Sequence, residues 1–238
     1  MAKKKRISRK KLLKEPDEFL TFSARAIRFV VDNQRPVLGI LIGVVVVVLA
    51  FAGFRYFSSL SERKAYAMFE QGRMHYMAEN SQDKKTPAQE KAAEQFEKVI
   101  KKYPSTDAAR FSLLIYADMS YQNGDYQRAI ELYQKALGAF SGEGSIQKLI
   151  WNGLAYAYEA QKDYKSAAEN FQRIAETKDE FIKADACYNL GRIMDTMNQQ
   201  DKALGAYNKV VQAYPDSVGF KIANEKVIRL KGATGASE

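Results

Sequence analysis

Three stretches of this chain repeat one another. LLIYADMSYQNGDYQRAIELYQKAL begins at Leu113, WNGLAYAYEAQKDYKSAAENFQRI at Trp151, and CYNLGRIMDTMNQQDKALGAYNKVV at Cys187. Ala117, Ala155 and Gly191 fall at matching places, as do Ala129, Ala167 and Ala203, and as do Tyr133, Phe171 and Tyr207, at offsets of 38 and 36 residues. Self-similarity at this period implies a stacked array in which each unit buries its apolar face only against its neighbours. No proline occurs from Ser105 to Tyr214, so helices can run unbroken. Small residues let paired helices approach closely, and aromatics fill the space in the next turn. Asn123-Gly124-Asp125 and Lys162-Asp163 have the chemistry of tight interhelix turns. The expected fold class is all-α: a solenoid of helical hairpins.

The pattern resembles the tetratricopeptide repeat, in which Trp, Leu, a small residue and Tyr on one helix precede Ala, an aromatic, a small residue and Pro on the next. Trp151, Leu154, Ala155, Tyr158, Ala167 and Phe171 match best; Leu190, Gly191, Ala203, Tyr207 and Pro215 follow. The repeat from Leu113 is looser, with Tyr116 and Ser120 where Leu and Tyr are expected. A degenerate first repeat has Gly72 on one helix and Ala92, Phe96 and Pro104 on the second, with a polar insertion near Asn80 to Gln89. Val218 to Leu230 reads as a closing helix stopped by Gly232. Four helix pairs and a cap result.

Ahead of the repeats, Val37 to Phe54 reads VLGILIGVVVVVLAFAGF, 18 residues without a charge. Length favours helix over strand, and extension to Phe57 gives about 31 Å, enough for the hydrocarbon core of a bilayer. Thirteen of the 18 are Leu, Ile, Val or Phe, together worth roughly −4 to −8 kcal/mol of insertion free energy. Residues 1 to 36 hold 11 Lys/Arg against 4 Asp/Glu, net +7, and residues 37 to 238 hold 26 against 24, net +2. The basic balance therefore belongs to the tail, and nucleic-acid binding by the folded part is not expected. The bias places the N-terminus in the cytoplasm and the repeats across the membrane. Ala50-Phe51-Ala52 has the small-x-small form of a signal cleavage site, but the segment before it is too long for a signal peptide. Gly39 and Gly43 form a GxxxG pair, a helix-packing face through which oligomers can form. Between tail and span, Phe19, Leu20, Ile27, Val30 and Val31 repeat at helical spacing with Arg25 and Arg28 on the flanks. That pattern reads as an amphipathic helix on the inner leaflet, or as a docking helix for a membrane partner. The expected layout is a basic tail over 1–16, this helix over 17–35, the span over 36–57, repeats over 58–231 and a disordered end over 232–238.

No phosphate-binding glycine loop is present, and one His (His75) and one Cys (Cys187) leave no metal cluster or nucleophile–base pair to assemble. Cys187 stands where the matching repeat has Trp151, and is expected to pack in the core. No enzyme activity and no cofactor are expected. Binding is expected instead. In a tetratricopeptide superhelix the first helix of each pair lines a concave groove. By this resemblance the groove residues are Leu114, Asp118 and Tyr121, then Asn152, Tyr156 and Glu159, then Tyr188, Arg192 and Asp195. Exposed tyrosines suit peptide recognition, although the same rings can instead pack between helices. The Lys, Asn and Arg rows of a carboxylate clamp are matched only by Asn152 and Arg192, so an acidic chaperone C-terminus is not the expected ligand.

Taken whole, the basic N-terminus, the segment ending Asp-Asn-Gln-Arg, the glycine-containing span, Arg55-Tyr56-Phe57 and the degenerate repeats resemble the YfgM-like single-pass proteins of the bacterial inner membrane. That resemblance implies proteins or extended peptides as partners, among them the Sec translocon and periplasmic chaperones. The rival expectations are a scaffold for outer-membrane biogenesis or cell division, and a regulator whose basic tail touches lipid or nucleic acid.

Overall fold

A computed structural model describes residues 18–77, 87–178, 180 and 182–235. The expected basic tail, Asp17, Asn80 to Thr86 of the polar insertion, Asp179 and the last three residues lie outside them. The described residues are all-helical: α1 Glu18–Asp32, α2 Gln34–Met77, α3 Pro87–Lys102, α4 Asp107–Gln122, α5 Tyr126–Ala139, α6 Gly144–Ala160, α7 Tyr164–Ala175, α8 Lys183–Thr196, α9 Gln200–Ala213 and α10 Phe220–Gly235. The chain divides into two compact units, residues 1–59 and 60–238.

In the second unit the solenoid is built by nearest neighbours. From α3 to α10 each helix packs on the next one along the chain, and α4 also touches α6. The repeated positions are the core. Ala117, Ala155, Ala129, Ala167 and Ala203 are fully buried, and Tyr133, Phe171 and Tyr207 are at most 4% exposed. In the degenerate repeat Gly72, Ala92 and Phe96 occupy the same roles, and a Cβ on Gly72 would come within 2.9 Å of the Phe96 ring. The core forms as four clusters, each shared between adjacent helices. Cys187 is buried as expected, and burial pushes its thiol up.

The interhelix turns repeat with the same offsets as the core. Gly124, Lys162 and Asn198 all have positive φ, at 79°, 65° and 58°. The next residue's N–H reaches back to close each helix end: Asp125 to the Ser120 carbonyl, Asp163 to Tyr158 and Gln199 to Met194, each at 2.9 Å. These are Schellman closures, which require one left-handed residue. The carboxylates of Asp125 and Asp163 then cap the following helices at the N–H of Arg128 and Ser166. Of these three turns only the first uses glycine, the residue that pays no Cβ penalty there. Lys162→Gly should therefore raise stability by about 0.5–1 kcal/mol, read as a shifted urea midpoint with unchanged slope; a destabilised domain would show that the Lys162 side chain contributes more than its backbone costs.

Three local readings change. α3 begins at Pro87, so Pro87 to Gln89 are helix rather than insertion, with proline suited to a first turn. α10 runs through Gly232 to Gly235, so its stop lies beyond the expected one, and its core contacts at Ala223, Val227 and Leu230 outweigh one glycine. Trp151 is half-buried between two clusters rather than inside one. A long-range cap joins the early helices: the Glu62 carboxylate accepts from the N–H groups of Asp107 and Ala108 at 3.0 and 3.1 Å, satisfying the start of α4 from α2.

In the first unit, α1 from Phe22 onward and the apolar stretch of α2 leave most of their side chains exposed. The most apolar window of α2 has mean hydropathy 3.0 and none of it is buried. Leu38, Ile40, Val47, Phe51 and Phe54 are all more than half exposed. By length and composition α2 is able to cross a membrane.

Candidate protein-binding groove

The first helices of successive pairs, α4, α6 and α8, lie side by side and carry the nine expected groove residues. On α4, Leu114 is half-buried against the core cluster, and Tyr121 tilts against Tyr126 with centroids 5.5 Å apart. Asp118 accepts from the Tyr133 hydroxyl at 2.5 Å. Burial raises the Asp118 carboxyl above its ordinary range, against the opposing pull of that hydrogen bond. Burial, then the Asp118 charge, push the Tyr133 phenol well up. The hydrogen bond fixes the ring over Gly153 of the next repeat, where a Cβ would sit 2.5 Å from it.

On α6, Asn152 is half-buried. Tyr156 is half-buried as well and packs edge-on against Phe171, centroids 5.3 Å apart, while its hydroxyl accepts from Asn189 of α8 at 2.9 Å. Burial raises its phenol pKa. Glu159 takes a bidentate hydrogen bond from Arg192 of α8, which also donates to Asn189. The Glu159 hydrogen bond holds the guanidinium's pKa above its ordinary value.

On α8, Tyr188 tilts against Tyr207 at 6.1 Å and lies beside Gly219. Asp195 accepts from Lys226 at 3.0 Å and Arg229 at 2.7 Å, both on α10. Burial pushes Asp195 up, but these two cations outweigh it and hold the carboxylate below the ordinary range. The charges along this face therefore form a ladder, one rung per repeat: Glu159 to Arg192, then Asp195 to the closing helix. Bidentate Arg–carboxylate geometry makes the first rung directional as well as attractive.

Seven of the nine, Asp118, Tyr121, Tyr156, Glu159, Tyr188, Arg192 and Asp195, make contacts to neighbouring helices. What faces solvent lies partly elsewhere. A pocket of about 240 Å³ opens between α6, α8 and the start of α10, lined by Tyr156, Asp185, Tyr188, Asn189, Val218 and Ile222. Val218 is 96% exposed at its rim. Asp185, Asn189, Val218 and Ile222 are absent from the sequence-based set, because the pocket exists only where the closing helix meets a repeat. An exposed valine two residues before a helix start is the one local signal for it. Two tyrosine rings, an amide, a carboxylate and an apolar rim suit an extended peptide carrying apolar and hydrogen-bonding side chains. Among the described residues no group of three or more His, Cys, Asp or Glu is placed to hold a metal ion.

A family model described as a tetratricopeptide repeat-like domain matches residues 34–232. No curated protein matches the chain. Among solved structures, the chain is similar to a crystal structure of MamA protein, at 22% identity over 72% of this chain and 82% of that one, TM-score 0.57. It is also similar to the putative kinesin light chain TPR-like repeats of Podosopora anserina, at 17% identity over 73% and 87%, TM-score 0.51. A tetratricopeptide repeat protein from Parabacteroides merdae is similar at 15% identity over 74% and 60%, TM-score 0.53. At these identities the likeness is one of fold.

Proposed function

Because the chain belongs to the tetratricopeptide repeat-like domain family, we propose that it is a single-pass membrane scaffold presenting a protein- or peptide-binding domain on the side opposite its N-terminus. The fold itself is a protein-interaction fold, not a catalytic one. The observation that carries the anchor is the apolar window of α2, none of which is covered by protein. A core helix of that hydropathy would be buried. The family match begins at residue 34 and so takes in this stretch together with the repeats. Retention rather than cleavage is supported by the continuation of α2 past the apolar stretch to Met77. The Lys/Arg bias supports a cytoplasmic N-terminus and a periplasmic repeat domain. The resemblance to the YfgM-like proteins supports the Sec translocon and envelope chaperones as the partners assisted. A photo-crosslinking residue at Asn152, on the proposed groove, tests this in native membranes, with Arg173 on the second helix of the same pair as control. Mass spectrometry should identify translocon or chaperone chains from Asn152 and not from Arg173; capture from Arg173 alone would place partners on the other face.

The span is proposed to pack on a second helix through Gly39 and Gly43. A Cβ built on either meets nothing within 4 Å, so Gly43→Leu leaves the protomer itself undisturbed and blocks only a close approach from outside. Crosslinks between spans should fall several-fold in that variant; unchanged crosslinks would remove this face from the account.

A further inference from the structure

Helix α1 has two faces. At about 100° per residue, Phe22, Ile27, Phe29, Val30 and Val31 fall within an arc of roughly 200°, and Arg25, Arg28 and Asp32 share an opposing sector of roughly 60°. Those five apolar side chains are exposed, Phe22 by 72% and Ile27 by 64%. α1 ends at Asp32, and Asn33 interrupts the helix for one residue before α2. Pro36 has no N–H to give the Asp32 carbonyl, so the helical ladder has a missing rung there. The Asn33 backbone and side-chain amides both donate to the Phe29 carbonyl at 3.0 Å, closing α1 as a helix of its own.

We infer that α1 seats on the anionic lipid surface on the tail side of the membrane, with its apolar arc among the acyl chains and Arg25 and Arg28 at the headgroup phosphates. The inference rests on the reading of α2 as a membrane span. Two observations choose lipid over a protein groove. The apolar arc on α1 is exposed along its whole described length and faces away from a narrow charged sector that holds Arg25 and Arg28, the two-faced form of a helix lying in a membrane interface. The charge also fits: Lys3, Lys4, Lys5, Arg6, Arg9, Lys10, Lys11 and Lys14 precede α1 with no acidic residue among them, and basic residues at a membrane surface attract anionic lipid.

The test uses the full chain in phosphatidylcholine–phosphatidylglycerol liposomes, in a Cys187→Ala background, with an environment-sensitive fluorophore on a single cysteine at Val30, Arg25 or Val46. Brominated acyl chains should quench the probe at Val30 at least about threefold more than the probe at Arg25, with aqueous iodide showing the reverse order. Quenching at Val30 by brominated chains should fall at least about threefold in liposomes of phosphatidylcholine alone. The probe at Val46 reports the span independently. If Val46 is quenched by lipid while Val30 and Arg25 are equally open to iodide, the seating is wrong, the span stands, and a protein occupant takes its place. If Val46 is open to iodide, the span reading itself fails. If Val30 is quenched equally in neutral liposomes, the anionic requirement is overturned.

Discussion

Phe171→Ala should destabilise the repeat domain by about 3–5 kcal/mol and lower its melting temperature by about 6–20 °C. Phe171 is completely buried in the cluster that also holds Ala155, Ala167, Ile174 and Ile193. Its ring supports Tyr156 edge-on, which in turn meets Asn189 on the next pair. Removing it leaves a cavity at the centre of the solenoid and loosens both neighbours. Because each repeat is stabilised by its neighbours, hydrogen-exchange protection should fall first in α6, α7 and α8. Calorimetry with exchange mass spectrometry reads both effects. A loss below about 1 kcal/mol would mean that the site collapses around the gap, contrary to the close packing described.

The second large effect is overpacking at Gly191. A Cβ there would lie 2.7 Å from two carbons of the Tyr207 ring, and Tyr207 is fully buried. Its hydroxyl is enclosed without a hydrogen-bond partner among the described residues, and burial, then the Asp195 charge, raise its pKa to about 12. The ring has nowhere to swing. Gly191→Val should cost about 3 kcal/mol. Tyr207→Leu in the same chain should recover part of that loss, because the two side chains compete for one volume, so the pair should deviate from additivity by about 1 kcal/mol or more. Strictly additive losses in urea unfolding would show that the two positions do not oppose each other.

The fold was legible because its determinants are local and periodic. Ala129, Ala167 and Ala203, and Tyr133, Phe171 and Tyr207, declare the helix pairs by spacing alone. Gly124-Asp125 and Lys162-Asp163 declare the turns by chemistry, and Asn198-Gln199 completes the set at the same offset. Trp151 is only half-buried, packed against two clusters, whereas Cys187 at the matching place is buried within one, a difference the motif does not show. The packing roles of the proposed groove residues were not legible. Tyr156 spans α6, α7 and α8, and Glu159 with Arg192, and Asp195 with Lys226 and Arg229, are joined across repeats at separations of 31 to 34 residues. Those separations differ from the repeat offset, because they depend on how neighbouring first helices are offset in space. Tyr156→Ala or Arg192→Glu consequently perturbs stability as well as any ligand, and Tyr156→Phe, which keeps the edge-on packing, is the cleaner probe of the hydroxyl.

The proposed topology has one helix holding the repeats on the side of the membrane opposite the basic tail. Cys187 is buried, so the native chain is a blank for thiol labelling. Lys165 is exposed at the start of α7, and Lys165→Cys in spheroplasts should react with a membrane-impermeant maleimide at once, whereas Lys5→Cys should react only after lysis. Labelling in the reverse order, with Lys165→Cys protected until the membrane is opened, would contradict the account.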